Sequence, residues 1–179
     1  MRVLVAYSSK YGATEGIAER IGARLRTAGH HVDVLRCRDV DRPDEYDAYV
    51  VGSAAYMGKW RKAARNFVER NTGVLASKPT WLFSSGPLGT ERIDRDGNDV
   101  LVAAEPKQFE EYESRIHPRG RMVFFGALDV DQLRGPDRIV SWMPANDALP
   151  EGDFRDWHAI DSWADHVAAD LRSSAGTPH

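Results

Sequence analysis

The chain has 179 residues, enough for one domain whose core removes roughly 70% of the unfolded surface from water. Hydrophobic residues at 42% and charged residues at 28% exclude a disordered chain, and no uncharged apolar run nears the ~20 residues of a membrane-spanning helix. A net charge of −3 gives no basic excess with which to displace phosphate counterions, against a nucleic-acid binder, and the single Cys37 excludes a disulfide framework or a cysteine-ligated metal site.

Five short β-branched or aromatic runs mark strands: Val3–Tyr7, Val32–Leu35, Ala48–Val51, Thr80–Phe83 and Met122–Phe125. Four of them are nearly continuous apolar runs, as parallel strands covered on both faces require, and the Val32 run alternates as an edge strand would. Helical periodicity fills the gaps. Ile17, Ala18, Ile21, Leu25 and Ala28 form a first stripe, stopped by Gly29. Ala63, Ala64, Phe67 and Val68 form a second, and Phe109, Tyr112 and Ile116 a third. The last comprises Ile160, Trp163, Ala164, Val167 and Leu171, with Asp153 as its expected N-cap. Strand and helix alternate throughout, so the expected fold is a single α/β domain over residues 1–173, with a flexible tail at 174–179. Two connections are long, Gly86 to Glu105 and Ala127 to Gly152. From Ala127 onward the chain carries ten acids and four bases, expected to form a solvated acidic surface.

In an open α/β sheet, ligands bind beyond the carboxyl ends of the strands. Three loops there have unusual composition. Ser8, Ser9, Lys10, Tyr11, Gly12, Ala13 and Thr14 follow the first strand and open the first helix. Unpaired amides at a helix N-terminus favour an anion, Gly12 permits close backbone approach, and the hydroxyls of Ser8, Ser9 and Thr14 can donate to phosphate oxygens. A plain turn with Thr14 as N-cap is the simpler alternative. Ser53, Ala54, Ala55, Tyr56, Met57 and Gly58 follow the third strand, where small residues beside an aromatic suit a flat conjugated ligand. Lys59 and Trp60 come next as candidates for a substrate entrance, though Tyr56 and Trp60 could equally pack a strand-to-helix corner. Ser84, Ser85, Gly86, Pro87, Leu88 and Gly89 follow the fourth strand and could hydrogen-bond the edge of a heterocycle. Neither a Walker loop nor a G-x-G-x-x-G fingerprint follows the first strand.

Taken together, these loops resemble the flavodoxin family. The stretch from Ser8 to Thr14 is similar to that family's hydroxyl-rich phosphate loop, with Lys10 and Tyr11 departing from its usual small residues. Tyr56 resembles the aromatic that covers one face of the flavin. Asp47 to Gly58, the Phe67-Val68 helix and Phe125-Gly126-Ala127-Leu128 are similar to the menaquinone-dependent protoporphyrinogen dehydrogenases of flavodoxin type. Phe83 to Gly89 and Gly152 to Trp157 resemble actinobacterial flavodoxin-domain proteins. The resemblance implies a three-layer α/β/α flavodoxin-like sandwich with a five-stranded parallel sheet in the order 2-1-3-4-5. It implies FMN as cofactor and an oxidoreductase of the protoporphyrinogen IX dehydrogenase kind with a quinone acceptor; the alternative is an electron carrier between protein partners.

The implied partner is therefore a small redox substrate or quinone, or a redox protein. The flavin would carry the chemistry, so no catalytic acid–base pair and no metal site are expected. His30, His31 and His117 fall at the opposite sheet edge, and His158 and His166 lack metal-like spacing. Neither Ser53 nor Ser85 has the G-x-S-x-G context of a hydrolase, and the strand ends lack the acidic cluster of a phosphotransfer receiver. Carriers of the family are strongly acidic around the flavin, whereas Lys10, Lys59, Arg61 and Lys62 give this rim a basic character that suits an anionic substrate. The Gly86–Glu105 loop is expected to cover the ring and the 127–152 segment to shape the entrance. In the latter, Ile139 to Met143 is the one apolar stretch. A cytoplasmic location is expected from the lone cysteine and the absence of a secretory pattern.

Overall fold

The structure is a computed structural model and describes residues 1–129 and 151–175. The Ile139–Met143 stretch and residues 176–179 lie outside the described residues. In chain order the elements are β1 (Arg2–Ser8), α1 (Ala13–Thr27), β2 (His31–Arg36), β3 (Ala48–Tyr56), β4 (Lys59–Trp60), α2 (Lys62–Arg70), α3 (Thr72–Ser77) and β5 (Thr80–Ser85). They continue with α4 (Val100–Ala103), α5 (Gln108–Ile116), β6 (Gly120–Phe124), β7 (Ala127–Leu128), β8 (Gly152–Asp153) and α6 (Trp157–Ala175).

Five parallel strands pair in the order β2-β1-β3-β5-β6, which is the expected 2-1-3-4-5 order of the five apolar runs. The short β4 folds back antiparallel on the end of β3, with Ala55 opposite Trp60 and Tyr56 opposite Lys59. Its turn, Met57-Gly58, has positive φ at both positions (51° and 69°), the geometry of a two-residue type I′ hairpin. Glycine adopts this freely, whereas Met57 does so at a cost.

Alternation along the strands divides the core in two. Val3, Val5, Val50 and Phe83 face α1 and α6, meeting Ile17, Ile21 and Leu25 from one and Ile160, Val167 and Leu171 from the other. Leu4, Val51, Leu82 and Val123 face the opposite layer, against Phe67 and Val68 of α2 and Phe109, Tyr112 and Ile116 of α5. Each predicted stripe thus lies on a sheet face.

The C-terminal acids are not simply solvated. Asp161 and Asp165 of α6 pair with Arg20 and Arg24 of α1, both at 2.6 Å, and Arg119 pairs with Asp170 at 3.2 Å. The Arg20 guanidinium holds the Asp161 carboxyl below the usual carboxylate range. Exposed pairs of this kind contribute about 0–1 kcal/mol each, so they orient α6 on α1 more than they hold it. Asp153 is not the N-cap of α6. It sits in β8 opposite Ala127, and the Asp156 carboxylate instead accepts from the Ala159 amide at 3.0 Å. The helix also runs through Ser174 and Ala175, where a tail was expected.

Gly52 shows how tightly the α1/α6 layer is filled. A methyl group there would overlap the Phe83 ring, which is itself fully buried and wedged against Phe124 and Trp163 at centroid distances of 6.3 Å. Gly52→Ala is expected to lower the unfolding free energy by about 1–3 kcal/mol, measured from the urea midpoint. An unchanged midpoint would mean that the Phe83 ring can move aside.

Candidate functional site

The carboxyl ends of β1, β3, β5 and β6 all emerge on one edge of the sheet, and a cleft of about 740 Å³ opens there. Such a volume lies within the range of ordinary ligand sites. Ser9, Lys10, Tyr11, Ala13 and Thr14 form one end of it. Ala54, Ala55, Tyr56 and Met57 form one wall, and Ser85, Gly86 and Leu88 continue it. All three predicted loops therefore meet in a single cavity. Arg61, Gly126, Ala127 and Leu128 complete the lining. Of these, Arg61 stands in the sequence as one basic residue among several. Ala127 and Leu128 open the segment expected to shape the entrance, and the β7–β8 pairing with Asp153 and Gly152 brings them to the cleft.

The end of the cleft at α1 is built from backbone. Gly12 takes a left-handed conformation (φ 87°) as the N-cap of α1, and open space lies where a side chain would project. The Ser9 hydroxyl accepts from the Gly12 amide at 3.0 Å, which fixes the turn, and no side chain caps the first helical amides. Thr14 is therefore not the N-cap. Its hydroxyl is buried and shares a 2.8 Å hydrogen bond with Ser85, which ties the first loop to the third. Glu15, the one acid in this first turn, is drawn aside. Tyr7 Oη donates to it at 2.6 Å and Arg36 Nη2 at 2.9 Å. Burial, then the Glu15 bond, pushes the Tyr7 hydroxyl up to about 12.

Ser8, Gly12, Ser53, Gly58, Ser84, Pro87 and Gly89 do not line the cleft, and two of these serines are visibly occupied elsewhere. Ser53 is fully buried; its Oγ donates to the Ala54 carbonyl at 2.9 Å and accepts from the Arg61 amide at 3.1 Å. Ser84 Oγ accepts from Trp60 Nε1 and donates to the Ser53 carbonyl, both at 3.3 Å. The Pro87 carbonyl accepts from the Gly126 amide at 2.8 Å, which laces the third loop to the end of β6. Trp60 is corrected outright. It is 2% exposed, its ring packed edge-on against Phe109 and Tyr112, because β4 alternates and turns Trp60 inward while Lys59 faces solvent. Of the Gly86–Glu105 connection only Gly86 and Leu88 reach the cleft, and 90–97 are exposed.

The opposite end of the cavity is apolar and open. Tyr56 is 47% exposed and Met57 99% exposed at the tip of the β3–β4 hairpin, while Ala54, Ala55, Leu88 and Leu128 make the wall below. Gly86 lies so close to Ala55 that a side chain there would press on the Ala55 carbonyl oxygen at 3.3 Å. The site thus pairs an amide-and-hydroxyl end with an apolar slot. No histidine lines it, and no cluster of three metal-ligating residues occurs among the described residues.

The sequence pattern of the flavodoxin domain matches residues 4–153. The chain belongs to the flavodoxin-domain family. This is an FMN-binding family, as the resemblance implied. Among its relatives, a protoporphyrinogen IX dehydrogenase [quinone] of Escherichia coli K12 is 24% identical over 94% of this chain and 95% of its own. An NAD(P)H dehydrogenase (quinone) of Rhodopseudomonas palustris BisB5 is 29% identical over 42% of this chain and 49% of its own. In three dimensions a flavodoxin from the domain Archaea superimposes with a TM-score of 0.58 at 18% identity, covering 96% of this flavodoxin-family chain and 99% of its own. That likeness bears on the fold.

The Thr14–Ser85 bond gives this site a test independent of any ligand. Thr14→Val and Ser85→Ala should each destabilise the protein by about 1–3 kcal/mol, because each leaves a buried hydroxyl or its partner unmatched. The double variant should lose clearly less than the two losses added, measured by chemical denaturation. Simple additivity would mean the two hydroxyls do not interact.

Proposed function

We propose that this protein binds FMN noncovalently and is an oxidoreductase that oxidises a porphyrinogen-like substrate and passes the electrons to a quinone. The observation that carries this is the two-ended cleft, with the uncapped N-terminus of α1 and its Ser9, Ala13 and Thr14 at one end and an apolar slot at the other. Those residues fit the group. The first-turn amides of α1, with Ser9, Thr14 and Lys10, would hold the phosphate. Ala54, Ala55, Tyr56 and Leu88 would flank the ring, and the backbone of Ser85 and Gly86 would meet its polar edge. FMN, when bound, supplies a centre able to take a hydride or single electrons.

The chain's own part is then to bind, orient and exclude water. Arg36 and Tyr7 engage Glu15, which keeps a carboxylate from facing an incoming phosphate. The Thr14–Ser85 bond holds the phosphate end against the ring slot. The E. coli relative supports the porphyrinogen reading through similarity over nearly its whole length. The carrier alternative draws on the structural likeness to flavodoxins, but no carboxylate lines this cleft among the described residues. No helix among the described residues is long and apolar enough to cross a membrane. We place the protein in the cytoplasm as part of the same proposal.

Purified protein incubated with FMN and freed of excess should show a flavin spectrum at near-stoichiometric occupancy. Thr14→Val should weaken FMN binding by about 1.5–3 kcal/mol and riboflavin binding far less, since riboflavin lacks the phosphate. Equal losses for both would refute the phosphate end. Tyr56→Ala should change the absorption and fluorescence of bound flavin, and unchanged spectra would remove Tyr56 from the ring. Quinone-coupled oxidation of protoporphyrinogen IX separates the enzyme from a carrier, which would not turn it over.

A further inference from the structure

The cleft lining carries two cations, Lys10 and Arg61, and no carboxylate among the described residues. They stand on different segments, Lys10 ahead of α1 and Arg61 immediately ahead of α2. On the proposed FMN reading, on which this inference rests, the α1 end takes the cofactor's phosphate. That assigns an anion to Lys10 and leaves Arg61 without one.

Arg61 is held in place for a purpose its own contacts do not disclose. Its backbone amide is pinned to the buried Ser53 hydroxyl at 3.1 Å. Its Nε is buried with no hydrogen-bond partner, and its guanidinium forms no ion pair among the described residues. A charged N–H stripped of water and given no acceptor is a net cost to the fold. Arg65, one helical turn further on, shows the same buried and unpartnered Nε. Lys62 adds a third cation to the first turn of α2, which contains no acid, so like charges gather at the positive end of the helix dipole. Beside this charge stand the exposed Tyr56 and Met57, large apolar groups left in solvent at the rim of the same cleft. A cation of this kind next to exposed apolar surface suits a ligand that is largely apolar and acidic at one edge.

We propose that Arg61 anchors a carboxylate of a bulky, otherwise apolar redox substrate whose body lies against Tyr56 and Met57. A charge-assisted contact of this kind gives the guanidinium the anionic acceptor its buried Nε lacks, and Arg61 then acts as the residue that selects acid over neutral substrate. A nucleotide phosphate would present similar charge, so the test must tell the two apart.

The probes are protoporphyrin IX, its dimethyl ester and NADPH, titrated against FMN-loaded protein by fluorescence. The wild type should bind the diacid at least tenfold more tightly than the ester. Arg61→Gln should abolish that preference and Arg61→Lys should restore part of it, with NADPH affinity nearly unchanged. FMN affinity, titrated separately on apoprotein, should be the same in all three. The proposal is overturned if the wild type shows no preference, or if Arg61→Gln keeps it. Loss of NADPH binding alone would assign the anion to a nucleotide phosphate, and a parallel loss of FMN would assign Arg61 to the cofactor. A wild type that refuses FMN but keeps an Arg61-dependent preference for the diacid would sink the FMN reading and leave this one standing.

Discussion

β1 lies between β2 and β3, and the chain leaves β1 and β3 toward opposite faces of the sheet. The segment after β1 enters α1 on the face shared with α6, while the segment after β3 enters α2 on the face shared with α5. Two adjacent parallel strands whose continuations part in this way must leave a crevice between them at their carboxyl ends. Everything in the site follows from that split. The α1 amides line one side because α1 begins there, and the β3–β4 hairpin lines the other because β3 extends past its neighbours before turning back. The third and fourth walls arrive with β5 and β6, next in order across the sheet.

How the floor of the crevice is fastened depends on serines in register. Ser8 pairs with Ser53 and Ser53 with Ser84, a row of small hydroxyl residues across three strands. Small side chains there let the loops above come together. Ser53 then spends its hydroxyl on the Arg61 amide and the Ala54 carbonyl of its own strand, and Ser84 on the Trp60 ring nitrogen and the Ser53 carbonyl, which locks β4 against the sheet. Ser85, the next residue along β5, points to the opposite face and meets Thr14 instead. Two neighbouring serines thus tie down two different walls. Strand alternation divides the work between them.

This also explains what could and could not be read from the residues. The five strands, the main helical stripes and the sheet order were legible, because burial on two faces demands continuous apolar runs and helices demand three-to-four spacing. The loops that meet in the cleft were legible as segments, because strand ends are where ligands bind. Individual roles were not. A hydroxyl at a strand end serves a ligand or a neighbouring strand according to which face it takes, and composition does not say which. Trp60 was ambiguous for the same reason, and only the fold-back of β4 decides that it is core. The acids of α6 read as a solvated surface in the sequence because their partners, Arg20 and Arg24, are about 140 residues away.

The two ends of the cleft are also held by different means. At the α1 end, Arg155 reaches over Gly16, where any side chain would collide with its guanidinium, and Nη1 points at the Ala13 carbonyl at 3.4 Å. Its Nε donates to Asp153 at 2.7 Å and its guanidinium lies 4.5 Å from the Trp157 ring centroid, so the side chain is only 18% exposed. A glycine inside a helix costs about 1 kcal/mol relative to alanine. Here that cost admits a charged clamp joining β8, α6 and the first turn of α1. Leu128, opposite Gly152 in the same short ladder, is thereby fixed as a wall of the cavity. The hairpin tip at Met57-Gly58 is tied through its backbone, the Gly58 carbonyl accepting from the Lys107 amide at 3.1 Å, while the Met57 side chain stands in solvent at the mouth. On the proposed reading, a side-chain clamp steadies the end that would hold the phosphate while the solvent-exposed Met57 side chain would meet the incoming substrate, so that a resident cofactor and an exchanging ligand share one cleft.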